Sequence, residues 1–236
     1  MELVKLQRQR AVDAVYQVLR NAIVTYAIKP GERLNIEDLA ARLGVSLTPI
    51  RGAIQQLSTE GLVDIRSRSG TFVASLTAQD VDETFRIRCA LECLAAEDGL
   101  PNLGAKEIRR LKDLLKSMRK PVRNAEDKVA HEADNSELHQ IIVRSSGNRR
   151  LIEMYEALNA HIKIARIHGS ETTWPARVSD EQREHEAIVA AIEKGDAVEL
   201  CSCLRAHIHR AKNVLVAALR ELEKSHTANG NPKGRD

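Results

Sequence analysis

Three histidines lie on the apolar faces of separate helical segments in the second half of the sequence. His139 follows Asn135 by four residues in DNSELHQII, so the two side chains share one helix face. His185 and His207 lie among apolar residues in EHEAIVAAI and CLRAHIHRA. Imidazole is a favoured ligand of Zn²⁺ and Ni²⁺, and an amide oxygen can also bind an ion. The pattern is typical either of a metal site inside a helical bundle or of three hydrogen-bonded core histidines.

Arg88 and Glu92 form a second pair with chemical potential. They are four residues apart on one helical segment, a spacing at which opposite charges form ion pairs. A guanidinium can also hold a carboxylate ligand through two parallel hydrogen bonds. The spacing alone therefore leaves two roles open, an ion pair within the helix and an anchor for an acidic ligand.

The cysteines fall into two close pairs, Cys89/Cys93 and Cys201/Cys203, without the CxxC spacing of many zinc sites. The N-terminus MELVKLQRQR lacks the apolar segment of a signal peptide. No apolar run approaches the ~18 residues of a membrane helix. We therefore expect a cytoplasmic chain without membrane contact, in which the cysteines are buried thiols. A zinc site that combines these cysteines with His207 is the alternative.

The elements that position the histidines are helices. Residues 79–224 contain no convincing strand, and amphipathic stripes such as Ile108/Leu111/Leu115 indicate helices that face a common core. These helices predict an antiparallel all-α bundle. The polar residues 225–236 predict a disordered tail. Six helical segments are expected, at about 78–99, 105–120, 125–146, 148–168, 177–194 and 196–224.

Residues 7–76 have a different pattern. A long amphipathic helix ends at Lys29-Pro30-Gly31, and Asn35 can cap a second helix over 36–43. After the turn at Gly44, a third helix begins near Ser46 and ends before Gly61. Two short strands then follow, at 62–66 and 71–75. Three helices and a hairpin predict a winged helix-turn-helix, so the whole chain is expected to be mainly α.

The exposed face of the third helix carries groups that suit nucleic acid. Arg51 can contact a phosphate or a guanine edge, and Thr48 can contact a phosphate. Arg66 and Arg68 lie on the hairpin. Residues 1–77 hold ten Lys or Arg against seven Asp or Glu, so this third carries the whole net charge of +3. Double-stranded DNA is therefore the expected partner, and a merely solvated surface is the alternative.

Residues 29–73, KPGERLNIEDLAARLGVSLTPIRGAIQQLSTEGLVDIRSRSGTFV, resemble the DNA-binding domain of GntR-type bacterial transcription regulators. The resemblance implies that the start of the third helix faces DNA and that Gly70 lies at the tip of the wing. The family usually has Arg where this chain has Leu47, and Glu where it has Gly52. The candidate DNA-binding residues are Arg33, Ser46, Leu47, Thr48, Arg51, Gln55, Arg66, Arg68 and Gly70.

Residues 79–220 resemble the FCD effector-binding domain of the FadR-like branch of these regulators. The resemblance rests on RCALE, ELHQIIVRSSGN, EHEAIVAAIEKGD and CLRAHIHRA, and six helices resemble its VanR-like subgroup. It implies a divalent metal held by Asn135, His139, His185 and His207, with Zn²⁺ or Ni²⁺ favoured over Mn²⁺. The family has Asp where this chain has Asn135. The amide oxygen of Asn135 can bind an ion but brings no negative charge to the site. The resemblance also implies that Arg88 can face the pocket and hold an effector carboxylate, and Glu92 is the second candidate effector-binding residue.

These patterns predict a bacterial transcriptional regulator and not an enzyme. It is expected to act as a homodimeric repressor that leaves a near-palindromic operator when a small carboxylate binds in the metal-containing bundle. In one alternative the metal ion itself is the signal. In the other the three imidazoles hold a catalytic ion with an open position.

Overall fold

The computed structural model describes residues 8–25, 27–168 and 174–229, and the chain divides into two compact units between Leu76 and Thr77. The described residues form nine α-helices, one short 3₁₀ turn and one three-stranded sheet. The mainly α class and its two parts, a winged helix-turn-helix and an antiparallel helical bundle, are confirmed. None of the helices in these ranges is long and apolar enough to cross a membrane.

The N-terminal unit has three helices and an antiparallel sheet in the order β1-β3-β2. Strand β1 was not predicted from the sequence, because two residues are too short to show alternation. It pairs Arg33 with Phe72 and Leu34 with Thr71. The elements of this unit are α1 (Arg8–Val24), β1 (Arg33–Leu34), α2 (Ile36–Leu43), α3 (Leu47–Thr59), β2 (Val63–Arg66) and β3 (Gly70–Val73).

Local signals define the turn between α2 and α3. The Asn35 side chain accepts hydrogen bonds from the amides of Glu37 and Asp38 at 3.0 and 3.1 Å, as its capping role predicted. Gly44 ends α2 with a φ of 65°. Ser46 is the N-cap of α3 but its side chain makes no capping hydrogen bond. The turn therefore directs the buried side of α3, which includes Ile50, into the core of this unit.

The second unit consists of six α-helices, as predicted, and one 3₁₀ turn within the described residues. Its first helix packs mainly against the last one and also against the third and fourth. The core between them is apolar and includes Phe85, Leu111, Leu138, Ile188 and Leu204. The elements are α4 (Ala78–Gly99), η1 (Leu100–Asn102), α5 (Ala105–Met118), α6 (Ala125–Ser145), α7 (Arg149–His168), α8 (Trp174–Lys194) and α9 (Ala197–Asn229).

The first turn of α4 is fixed from two sides. Thr77 and Asp80 form a reciprocal capping box. The amide of Ala78 also donates a hydrogen bond to the Glu223 carboxylate in α9, at 3.0 Å. The beginning of the bundle is thereby joined to a position close to its end.

Two helix ends in the bundle differ from the prediction. Helix α8 begins at Trp174 and not at 177, because Pro175 is well tolerated in a first helical turn. Helix α9 continues to Asn229, although a disordered tail was expected from 225. Residues 225–229 contain neither Pro nor Gly, so nothing in the sequence stops the helix there. The remaining tail, 230–236, lies outside the described residues.

Gly99 is expected to tolerate no side chain. A Cβ atom there would lie 2.2 Å from Ser145 Oγ and 2.5 Å from the backbone nitrogen of Ser146. Because backbone atoms cannot rotate away, Gly99→Ala is expected to destabilise the protein by about 1–3 kcal/mol. In a helix without that contact the same change stabilises by roughly 0.5–1 kcal/mol. Urea unfolding of Gly99→Ala beside Asp98→Ala, a change at the exposed neighbour, measures the difference; equal stability of the two variants would refute the close contact.

Candidate metal centre and nucleic-acid interface

The bundle brings together the three predicted imidazoles from three different helices. His139 lies on α6, His185 on α8 and His207 on α9, and each side chain is at most 1% exposed. Each helix directs its histidine inward because the same face carries the apolar core residues. The sequence-based prediction of convergence is therefore correct for these residues.

The separations within the cluster of His139, His185 and His207 suit a shared metal ion. The ring centroids of His139 lie 5.5 Å from His185 and 5.1 Å from His207, and the last two are 4.5 Å apart. One nitrogen from each ring lies within 4.8 Å of the others. A Zn–N bond is about 2.0–2.1 Å long, so two nitrogens that bind one ion lie at most about 4 Å apart, close to the separations in this cluster. The donor set therefore fits the metal that the sequence predicted.

Carboxylates hold two of the rings from behind. His139 Nδ1 lies 2.6 Å from Glu92 Oε2, and His207 Nδ1 lies 2.8 Å from Glu184 Oε2. A carboxylate accepts the proton of Nδ1, so Nε2 becomes the nitrogen that each ring can offer to an ion. Glu184 was not predicted in this role from the sequence. The available signal was its position next to His185.

Arg88 and Glu92 form a buried ion pair. Arg88 Nε donates to Glu92 Oε1 at 2.6 Å, and the side chains are 1% and 0% exposed. The Tyr155 hydroxyl donates to the same oxygen at 3.0 Å. Burial acts to raise the pKa of the Glu92 carboxyl, but the charges of Arg88 and His139 outweigh it and hold that pKa well below its usual range. Glu92 is thus an ionised carboxylate that connects Arg88 to the imidazole cluster.

Asn135 is buried one turn before His139 on α6. Its position agrees with a role beside the imidazoles. The same helix face continues to His131, and the corresponding face of α8 carries Glu181 one turn before His185; both side chains are buried. Their nearest side-chain nitrogen and oxygen are 4.0 Å apart. Spacing of four residues was the available signal for both, but neither was predicted from the sequence.

None of the cysteines belongs to the group of side chains with metal-ligand spacing that the three imidazoles form. Cys89, Cys93 and Cys201 are buried and Cys203 is half-buried, all as free thiols. Burial raises the pKa of Cys89 and of Cys201 to about 11. Within the described residues, the single group of three or more side chains with metal-ligand geometry is the histidine cluster. The structure therefore favours the buried-thiol interpretation over a cysteine zinc site.

Helix α3 presents its predicted DNA-binding side chains to solvent. Leu47 is 37% exposed, and the other members of this face are exposed as well, while the opposite face is buried. The exposed candidates on and beside α3 are Ser46, Leu47, Thr48, Arg51 and Gln55.

Gly52 has a packing role that the sequence did not reveal. A Cβ atom at this position would lie 3.2 Å from both methyl groups of Val12 in α1. Contacts of that length are tight, so with a side chain at this position Val12 must move by a few tenths of an ångström. The glycine allows α1 to lie close against α3.

The hairpin carries the remaining basic candidates. Arg66 is held by Asp64 at 3.2 Å, and its guanidinium lies 4.8 Å from the centre of the Phe72 ring. Arg68 is exposed and has a φ of 63°, a left-handed conformation at the hairpin turn. Arg33 crosses Gly70, where a Cβ atom would lie 2.9 Å from its Nε. The structure thus brings Arg33 to the hairpin.

Comparison with known proteins agrees with both units. Residues 11–73 match the model of the bacterial regulatory proteins, gntR family, and residues 83–210 match that of the FCD domain. The HTH-type transcriptional regulator YdhC of Bacillus subtilis (strain 168) is 35% identical over 179 residues, which cover 76% of this chain and 79% of that protein. The HTH-type transcriptional repressor RspR of Escherichia coli (strain K12) is 27% identical over 187 residues, which cover 78% and 81%.

A solved structure has the same arrangement of elements. The E. coli McbR/YncC structure aligns with a TM-score of 0.74 at 25% identity, covering 88% of this chain and 97% of that one. The two family matches fall on the two structural units in the same order. The chain therefore belongs to the GntR family of bacterial transcriptional regulators and carries an FCD domain.

Proposed function

We propose that this regulator is a homodimeric repressor whose operator affinity falls when a small carboxylate binds in its helical bundle. The observation that carries the proposal is the buried cluster of three imidazoles, two of them held by carboxylates. A purely structural core has no need of three adjacent histidines.

The N-terminal unit supports DNA binding. Arg51 and Thr48 project from the exposed face of α3, and Arg68 lies at the turn of the hairpin. In a homodimer two such units match a near-palindromic operator, because the symmetry of the protein is then that of the DNA.

A divalent ion in the bundle would be held by His139, His185 and His207, with Asn135 as the fourth ligand. This nitrogen-rich set favours Zn²⁺ or Ni²⁺ over Mn²⁺. A bound ion supplies a Lewis-acidic position for an effector carboxylate. Because all four ligands are neutral, an anionic effector is the species that best balances the charge of the ion.

Arg88 is the proposed second contact of the effector, and Glu92 holds it in place. Its Nε donates to Glu92 Oε1, which fixes the orientation of the guanidinium. The cluster and Arg88 meet through Glu92, which contacts both. Together they would select a small organic acid.

An operator obtained by selection from random duplexes allows a direct test. Its affinity for the full-length protein is measured at fixed salt, with Zn²⁺ or Ni²⁺ alone and then with a panel of small mono- and dicarboxylates. Release by an acid only when metal is present supports the proposal. Full affinity under every condition contradicts it.

Asn135 favours one alternative, a regulator for which the ion is the signal. A site without a charged ligand holds its ion less tightly and exchanges it more readily. In that case metal alone changes operator affinity in the same assay, and carboxylates add nothing. An enzymatic role lacks comparable support, since the matched relatives are named as transcriptional regulators.

Leu47→Arg is expected to change which operator is preferred. Leu47 lies exposed at the start of α3, where an arginine can make a bidentate contact to guanine. One such contact discriminates between bases by about 1–3 kcal/mol. Parallel selections with wild type and variant should therefore yield different half-sites. Identical half-sites would place residue 47 away from the base edges; Gln17→Arg, on the exposed face of α1, controls for the added charge.

A further inference from the structure

Two of the three clustered histidines are each the last member of a hydrogen-bonded series that runs from an arginine to a glutamate to the histidine. In the first, Arg88 Nε donates to Glu92 Oε1 at 2.6 Å, and Glu92 Oε2 contacts His139 Nδ1, also at 2.6 Å. Arg88 and Glu92 belong to α4, while His139 belongs to α6. All three side chains are at most 1% exposed.

The second series is built from other helices. Glu184 of α8 contacts His207 Nδ1 of α9 at 2.8 Å through Oε2. Arg210, three residues after His207, donates to both oxygens of Glu184, with the Nη2–Oε2 distance at 2.7 Å. Glu184 and Arg210 are each 24% exposed. The two series therefore contain the same types of residue on different helices, and the Arg–Glu pair of the first is more deeply buried than that of the second.

Each arginine places a positive charge next to the glutamate of its series. A buried carboxylate without a cation tends to take up a proton and becomes neutral. Here each carboxylate has a guanidinium partner and also accepts the Nδ1 hydrogen of a histidine, Glu92 through Oε2 and Glu184 through an Oε2 atom that Arg210 contacts as well. An ionised acceptor at Nδ1 fixes the ring tautomer and raises the basicity of Nε2, which strengthens its bond to a metal ion.

This arrangement bears on the neutral residue at position 135. A carboxylate at position 135 would attract the ion through its negative charge. The neutral amide of Asn135 has no such charge. We propose that Glu92 and Glu184 compensate from behind the ligands: they are positioning residues that polarise His139 and His207 and so sustain metal affinity without an anionic ligand at position 135. The inference rests on the proposed metal site.

The two glutamates are expected to contribute unequally to metal affinity. Water screens the charge of Glu184, which is 24% exposed, but not that of Glu92, which is fully buried. Loss of such an outer partner typically weakens metal binding about 10- to 100-fold. Glu92→Gln is therefore expected to weaken metal binding by about 100-fold, near the upper end of this range. Glu184→Gln is expected to weaken it by about 10-fold, near the lower end. Glutamine keeps an oxygen that accepts a hydrogen bond, so these variants remove charge more than shape.

The experiment measures Zn²⁺ affinity of metal-stripped full-length protein by competition with a chromophoric chelator. Glu186→Gln is the matched control, because Glu186 follows His185 directly but pairs with Arg119 at the surface. Since Glu92→Gln leaves Arg88 buried beside a neutral group, the double variant Arg88→Met/Glu92→Gln is measured too. Circular dichroism of each metal-free variant establishes that it is folded.

Addition of a charge at position 135 tests the compensation itself. In the Glu184→Gln background, Asn135→Asp is expected to recover the lost affinity, which mere repair of packing would not achieve. Wild-type affinity in Glu92→Gln, the double variant and Glu184→Gln alike would overturn the inference. If the wild type takes up no metal, the proposed metal site fails instead, so the two failures are distinguishable.

Discussion

Replacement of both His139 and His185 by alanine is expected to weaken binding of Zn²⁺ or Ni²⁺ more than about 100-fold. The change removes two of the three imidazoles in the cluster. Loss of an outer-shell partner alone costs about 10- to 100-fold, and a direct ligand contributes more. Elemental analysis after dialysis gives the metal content, and chelator competition gives the affinity. The wild type is expected to retain one ion per chain, because the described residues form a single such cluster.

His209→Ala is the appropriate control for the double variant. His209 lies two residues after His207 but is exposed, so its removal should leave metal content unchanged. Thermal unfolding of both metal-free variants shows whether a loss of metal merely follows a loss of fold. A wild type that stays metal-free after incubation with either ion contradicts the site. An equal loss in His209→Ala points to non-specific binding.

The second large effect is expected from a substitution in α3. Arg51→Ala should lower operator affinity by about 1–3 kcal/mol for each half-site if Arg51 contacts a base. If Arg51 contacts phosphate, the salt dependence of binding should fall, with a slope smaller by about 0.9 for each phosphate that the variant no longer neutralises. Affinities measured over a range of salt concentrations, on the selected operator and on unrelated duplex, separate the two roles.

Arg149→Ala removes the same charge from α7 in the bundle, where the side chain is 76% exposed. It keeps the net charge of the two variants equal and should bind operator as the wild type does. Unchanged affinity and unchanged salt dependence in Arg51→Ala would mean that the exposed face of α3 does not contact the operator through this residue.

The sequence predicted the elements better than their ends. Helix α2 and its cap at Asn35 followed from local signals, because capping and periodicity involve residues a few positions apart. Strand β1 did not, since its partner Phe72 lies far along the chain. The close approach of Val12 to Gly52 was also invisible, because a sequence pattern does not give the distance between two packed helices.

The candidate site shows the same division. The helical positions of His139, His185 and His207 predicted which faces they occupy, and burial brought them together. The partners of these rings could not be predicted in the same way. Glu92 was considered as an effector contact, and only the packing of α4 against α6 places its carboxylate on His139 Nδ1. The link between Glu184 and His207 likewise depends on the packing of α8 against α9.

The hydrogen bond between the Ala78 amide and Glu223 has a consequence for engineering. It joins the first turn of α4 to Glu223 in the last helix, so the beginning of this unit and that part of α9 are neighbours in space. This proximity suits circular permutation, since a short linker can join the start of α4 to the part of α9 near Glu223. New ends can then be opened in an exposed connection such as that at Lys120 and Pro121. For the same reason the unit is expected to tolerate insertion into a surface loop of a carrier protein.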